Sequence, residues 1–144
     1  MIALGSDHAG FELKQEIKKH LDERGIEYKD YGCYSAESCD YAVFAEKTAL
    51  AVTSGECERG LLFCGTGVGI SIAANKVKGI RAAVLSDEFS AAACSAHNNA
   101  NVLCLGGRIL SPEKATKLVD LWLTTPFEGG RHVRRLDEIA DLEK

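Results

Sequence analysis

Short apolar runs and amphipathic stretches alternate along the whole chain. The first run, Ile2-Ala3-Leu4, ends at Gly5 and predicts a buried strand. Residues 6–10 read as a turn. Leu13, Ile17 and Leu21 then recur every four residues, with Lys14, Lys18, Lys19, Asp22 and Glu23 on the opposite face. That spacing predicts an amphipathic helix closed by Gly25. Residues 26–31 read as a second strand and residues 32–40 as a polar loop. Residues 41–54 are apolar nearly all round except for Glu46 and Lys47, which predicts a buried helix stopped at Gly55. Residues 60–64 are a continuous apolar run, the pattern of a strand covered on both faces. Gly65, Gly67 and Gly69 turn that strand into a short helix through Ile72 and Ala73. Residues 80–85 read as a fourth strand, and Ser86 or Asp87 caps a small-residue helix running to about Ala96. Residues 101–105 read as a fifth strand, closed by Gly106-Gly107. Ser111-Pro112 opens a helix with apolar positions Leu118, Val119 and Trp122. Residues 124–130 break the pattern, and residues 132–143 form a last, charged helix.

Strands that are short, unalternating and separated by helices predict a parallel sheet. The predicted fold is α/β: one domain over residues 1–144, a doubly wound, Rossmann-like sheet of five parallel strands, helices on both faces and a C-terminal helix. In such folds ligands bind beyond the carboxyl ends of the strands, near the switch in strand order. Those ends carry Asp7-His8, residues 64–69, Ser86-Asp87 and residues 106–108.

Composition narrows the function. Hydrophobic residues are 46% and charged residues 26% of the chain, as in an ordinary globular domain. No apolar run approaches the length of a membrane span, and the N-terminus does not resemble a signal peptide. A net charge of −4 argues against non-specific nucleic-acid binding and leaves an anionic small molecule held by a local basic cluster. None of the six cysteines has C-x-x-C spacing, so no metal site is expected, and the thiols are expected to be free in a cytoplasmic protein.

The glycine turn at Gly65, Gly67 and Gly69 is suited to point backbone N–H groups into one cavity, as an anion nest does. It lacks the G-x-G-x-x-G spacing of a dinucleotide site and the Gly-Lys-Ser/Thr of a P-loop; by itself it could equally be a bare tight turn. Cys64 immediately precedes it, at a position that favours a thiolate. Thr66 is a neighbouring hydrogen-bond donor. Buried cysteines are common, so position alone does not choose between a reactive and a core thiol. Asp7 and His8 share a glycine-flanked turn at a strand end. His97 ends the fourth helix, His20 sits on a polar helix face, and His132 follows Arg131. Residues 129–135 hold three arginines, with Arg131 and Arg135 one helical turn apart. Guanidinium forks match phosphate oxygens; the blander alternative is a solvated tail pairing with Asp137, Glu138 and Asp141. Arg108 follows a strand-end Gly-Gly.

These pieces, in this order, resemble the type B ribose-5-phosphate isomerase family, which includes isomerases of galactose 6-phosphate and allose 6-phosphate. The matching segments are Gly5-Ser6-Asp7-His8-Ala9-Gly10, Asp40-Tyr41, residues 64–76, His97-Asn98 and Gly129-Gly130-Arg131-His132, so the resemblance spans the chain. It implies aldose–ketose isomerisation of ribose 5-phosphate and ribulose 5-phosphate through an enediolate, with no cofactor and no metal. It assigns proton transfer to Cys64, ring opening to His97 with Asp7, and enediolate stabilisation to Thr66 and the turn at Gly65, Gly67, Gly69 and Ser71. His8, Arg131 and Arg135, with Arg108 nearby, are assigned to the phosphate. Asp40, Tyr41 and Asn98 are assigned to the sugar.

Some members carry serine at the position of Cys64 and a glutamate base at the position of Ile70; here the pair is cysteine and isoleucine, which fits the cysteine subgroup. Ala42 stands where the family usually has proline, and Asn99 where aspartate is frequent. The resemblance also implies a homodimer, with Asp7, His8, Cys64, Arg131 and Arg135 from one chain and His97, Asn98 and Arg108 from the other. The small residues Ala91, Ala92, Ala93, Cys94 and Ala96 would admit a partner's backbone or, alternatively, pack on their own sheet. The competing functions are the same chemistry on a six-carbon sugar phosphate and a non-catalytic phosphosugar-binding module.

Overall fold

The computed structural model describes residues 1–144. In chain order the elements are β1 (Ile2–Ser6), α1 (Phe11–Glu23), β2 (Tyr28–Asp30), α2 (Tyr41–Thr53), β3 (Arg59–Cys64) and α3 (Val68–Ala74). They continue with β4 (Ala82–Val84), α4 (Glu88–Ala96), β5 (Val102–Gly106), α5 (Pro112–Thr124) and α6 (Arg131–Asp141). The five strands form one parallel sheet in the order β2-β1-β3-β5-β4. β2 lies on one side of β1 and all later strands on the other, with β5 inserted between β3 and the edge strand β4, so the switch in strand order falls between β1 and β3.

The alternation of side chains along a strand divides the core in two. Leu61 and Phe63 of β3 face a cluster built on Leu13, Ile17, Leu21, Leu118 and Trp122 of α1 and α5. Leu62 and Cys64 face the opposite cluster, with Ala45, Ala49, Val52, Ile70 and Ala74 of α2 and α3. Both faces are therefore apolar, which explains the unbroken run at 60–64. The helix starts follow the capping chemistry of the sequence. Asp87 accepts the Ser90 N–H at 2.8 Å, and Ser111 accepts the Lys114 N–H at 3.2 Å. No helix is long and apolar enough to cross a membrane.

Two local expectations change, and a third, left open between two alternatives, narrows. Lys14, expected on the solvent face of α1, is wholly buried. Its ammonium donates to Asp30 Oδ1 at 2.8 Å and to the Cys33 carbonyl. A buried cation is tolerated because both partners are fixed. The second difference is α2, which is not buried all round. Ala45, Thr48, Ala49, Ala51 and Val52 face the sheet, while Val43 and Leu50 are exposed. On neighbouring α3, Val68 and Ile72 are exposed too. The third is α4, where Ala91, Cys94 and Ala96 are buried within this chain. Only Ala92 and Ala93 of that alanine-rich stretch remain half-buried.

Trp122 locks α5 to its neighbours. Its ring is fully buried, its Nε1–H donates to the Ala100 carbonyl at 2.9 Å, and its carbonyl accepts from Ser95 Oγ at 2.7 Å and Arg59 Nη1 at 3.1 Å. Trp122→Ala is expected to lower unfolding free energy by about 3–5 kcal/mol, measured by urea denaturation. Trp122→Phe keeps most of the apolar contact and strands one buried carbonyl, for a loss of about 1–3 kcal/mol. Equal losses for the two variants would show that the indole hydrogen bond, not the packing, dominates.

Candidate active site

The carboxyl ends of β1, β3 and β5 meet at a cavity of ≈ 780 Å³ at the switch point. The sequence-derived residues that line it are Asp7, His8, Asp40, Tyr41, Cys64, Gly65, Thr66, Gly69 and Arg108. Each arrives by a short route. Asp7 and His8 leave β1, residues 64–69 leave β3, Arg108 leaves β5, and Asp40 and Tyr41 open α2.

Cys64 sits at the floor and is 5% exposed. Gly67 occupies the left-handed region at φ +82°, and this aims its N–H at Cys64 Sγ across 3.1 Å. A sulfur that accepts a backbone N–H has a donor ready for its anionic form. The backbone around it is clamped from β5: Gly107 N donates to the Cys64 carbonyl at 2.8 Å and Arg108 N to the Gly65 carbonyl at 2.9 Å. Cys104, on the adjacent strand, is different. Burial, and secondarily the neighbouring Cys64, pushes its thiol up, so it remains a protonated core group. All six cysteines are free.

The turn after Cys64 is a partial nest. Gly69 and Ile70 lie in the first turn of α3, where N–H groups have no intrahelical acceptor. Gly69 admits the Tyr41 ring, whose Cζ lies 2.9 Å from where a Cβ would stand. Ser71 does not join the nest. Its N–H donates to the Gly67 carbonyl at 3.2 Å and its hydroxyl to the Val68 carbonyl at 2.7 Å, so both donors are used inside the helix. Thr66 is exposed, and its Oγ1 accepts the Val68 N–H at 3.2 Å. Asp7 is 6% exposed and accepts the Gly10 N–H on Oδ1 at 3.0 Å, which fixes the turn and leaves Oδ2 unengaged.

The remaining candidates lie elsewhere. α4 runs back against the strand direction, so His97 and Asn98 emerge at the amino edge of the sheet, just before β5. Asn101 there is level with Gly60, whose N–H donates to its carbonyl at 2.9 Å. Cys64 is at the other end of β3, about 13 Å further along at 3.3 Å per residue. At the amino edge His97 stacks on His132 with ring centroids 4.6 Å apart. His132 belongs to α6, and that helix also carries Arg131 and Arg135. This reverses two placements: Arg108 shares the cavity with Cys64, whereas Arg131 and Arg135 stand with His97. Only Arg134 pairs along α6, with Glu138 at 3.7 Å. Arg108, Arg131 and Arg135 are exposed and have no carboxylate within ion-pair distance.

Two contacts had no sequence signal. Cys39 N–H donates to His8 Nδ1 at 3.2 Å across 31 residues. The Cys39 thiol is pushed up to about 11 by burial and then by its neighbour Cys33. Glu128 lies 3.5 Å from His132 Nε2 and 3.9 Å from His97 Nε2. The donor atoms of these three residues fall within 4.8 Å of one another. Yet the two rings are within 16° of parallel, so their Nε2 lone pairs run side by side and do not converge on one ion.

Comparison with known proteins gives the family. The sequence model of the Ribose/Galactose Isomerase family matches residues 2–139. The chain is 52% identical over 143 residues to the ribose-5-phosphate isomerase B of Escherichia coli (strain K12), covering 99% of this chain and 96% of the relative. Its fold matches the solved ribose-5-phosphate isomerase B of Clostridium thermocellum with a TM-score of 0.97 at 51% identity, over 99% of this chain and 96% of that one. It matches the ribose-5-phosphate isomerase B of Mycoplasma genitalium, solved with bound ribulose-5-phosphate, with a TM-score of 0.94 at 44% identity, over 99% and 95% of the two chains. Matched over nearly its full length in sequence and in fold, the chain belongs to the ribose/galactose isomerase family.

Proposed function

We propose that residues 1–144 act as one aldose–ketose isomerase domain that interconverts ribose 5-phosphate and ribulose 5-phosphate. The observation that carries this reading is Cys64 Sγ at the floor of the strand-end cavity, facing the Gly67 N–H, with Asp7, His8, Thr66 and Arg108 around it. The identities with ribose-5-phosphate isomerase B proteins support the substrate. A proton moved between adjacent carbons requires a base that reaches both and donors for the enediolate oxygens. Cys64 is the base; Thr66 and the N–H groups of the glycine turn are the donors. His8 and Arg108 face the phosphate from this chain, and Asp40 and Tyr41 contact the sugar. Free thiols fit the reducing cytoplasm.

Ring opening needs an acid–base partner for Asp7, and in this reading His8 is engaged by the phosphate and Asp40 and Tyr41 by the sugar. His97 has that chemistry but stands at the opposite edge of its own sheet. A homodimer resolves this: His97, Asn98, Arg131 and Arg135 of one copy complete the Cys64 cavity of the other. The exposed apolar positions Val43, Leu50, Val68 and Ile72 on adjacent α2 and α3 offer a face for such an assembly.

Cys64→Ala is expected to abolish nearly all turnover while substrate binding, measured calorimetrically, changes little. Near-normal turnover would demote Cys64 to a core thiol. No step needs a Lewis acid, so activity is expected to survive exhaustive chelation; recovery only on adding a divalent ion would refute that. Mixing tests the shared site. Cys64→Ala and His97→Ala dimers are each expected to be nearly inactive. After random equal exchange half the dimers are mixed, and each mixed dimer has one intact site, so roughly a quarter of all sites recover. Confirmed exchange without recovered turnover would exclude a site built from two chains.

A further inference from the structure

We propose that His8 is a positioning residue as well as a phosphate donor: its Nδ1 latches the loop that carries Asp40 and Tyr41 over the cavity. The phosphate half of this role rests on the isomerase reading above; the latch does not.

The loop between β2 and α2 is held firmly at its start. Gly32 N–H donates to Asp30 Oδ1 at 2.8 Å, Cys33 N–H to the Ser6 carbonyl at 2.9 Å, and buried Lys14 reaches the Cys33 carbonyl. Its far half is different. Residues 34–38 are exposed. Among the hydrogen bonds of residues 35–39, Cys33 Sγ to the Ser35 carbonyl and Glu37 N–H to Ser35 Oγ stay within the loop. The bond from Cys39 N–H to His8 Nδ1, at 3.2 Å, is the one that crosses to another element. The next residues, Asp40 and Tyr41, line the cavity.

The direction of that bond fixes the imidazole. A ring nitrogen that accepts an N–H carries no proton, so in neutral His8 the proton is on Nε2. His8 then presents an acceptor to the loop and a donor to a bound anion. An oxygen that accepts the Nε2–H polarises the ring and strengthens Nδ1 as an acceptor. Anion binding and loop seating thus run through one side chain.

Two substitutions separate the halves. Asparagine places its Oδ1 near the position of Nδ1 and lacks the distal donor; glutamine places its Nε2 near the position of the histidine Nε2 and lacks the proximal acceptor. Amide exchange at Cys39, followed without substrate, reads the latch directly. His8→Asn is expected to match the unaltered protein, and His8→Gln to exchange about tenfold faster, as for one lost hydrogen bond. In turnover of ribose 5-phosphate, His8→Asn is expected to raise KM about 10–100-fold with kcat nearly kept, as for a lost charge-assisted hydrogen bond. His8→Gln is expected to lower kcat with a smaller change in KM, because Asp40 and Tyr41 are no longer seated. Equal Cys39 exchange in all three proteins, or the same division between KM and kcat in both variants, would overturn the proposal. Should the unaltered protein itself fail to turn over ribose 5-phosphate, the isomerase reading falls, and the exchange rates still decide the latch.

Discussion

Parallel strands send every carboxyl end to one edge of the sheet, and each connecting helix must carry the chain back to the other. This constraint orders the whole molecule. Asp7, Cys64 and Arg108 leave β1, β3 and β5 at the same edge and share a cavity. Whatever follows a helix, such as His97 after α4 and the stretch into α6 after α5, is delivered to the amino edge. No loop rearrangement within one chain carries His97 across the sheet while α4 keeps its Ala91, Cys94 and Ala96 contacts. On the proposed assignment of ring opening to His97 with Asp7, acid–base chemistry would be divided between the two edges, and it is this proposal that calls for a second copy.

Within the cavity, precision comes from backbone that is anchored from outside it. The Cys64 and Gly65 carbonyls are held by Gly107 and Arg108 N–H groups, so the end of β5 sets the position of the thiol. On the opposite wall, Lys14 and Asp30 hold the start of the β2–α2 loop. Lys14 is wholly buried, and Lys18 adds a second cation to the same carboxylate at 3.1 Å. Burying such a pair contributes little net stability, since desolvation offsets the attraction. Its consequence is geometric: the chain enters the loop at one place and in one direction, and the cavity-lining Asp40 and Tyr41 hang from that entry.

The architecture was legible because each face of the sheet imposes its own spacing. Four-residue recurrence gave α1, the unbroken run gave β3, and Asp87 and Ser111 marked two helix starts. Asp7, His8, residues 64–66, Gly69 and Arg108 followed from the rule for strand ends; Ser86-Asp87, which the rule also named, do not line the cavity, and Asp40 and Tyr41 came from the resemblance. The strand-end rule puts Arg108 at the edge where it is found; the division between two chains that the resemblance implies separates Arg108 from Cys64 and joins Arg131 and Arg135 to it, against the signal that Arg108 follows a strand and the other two follow a helix. Lys14 lay beyond reach because its partners are 16 and 19 residues away and a helical pattern ranks lysine as exposed. The same holds for His8 and Cys39, whose meeting depends on how two loops close over one cavity. The hydrophobicity of α2 was read correctly and its burial was not, because pattern alone does not tell a face covered by its own sheet from one left free on the monomer.

The start of α6 shows what such a surface costs a single chain. Arg131 is the first residue of the helix and no acidic residue shares its first turn, so its charge opposes the helix dipole. Arg135, one turn on, is a like charge where an opposite one would stabilise, a penalty of about 0.2–0.5 kcal/mol. Further along, Arg135 meets Ile139 at the next such spacing, while Arg134 has the Glu138 partner. In an acidic chain with carboxylates available on the same helix, two guanidinium groups are left exposed, mutually repelling and unpaired. Helix stability disfavours that arrangement. A dianionic phosphate between the two forks would relieve the repulsion and the unfavourable end charge together, which supports the proposed phosphate role of Arg131 and Arg135.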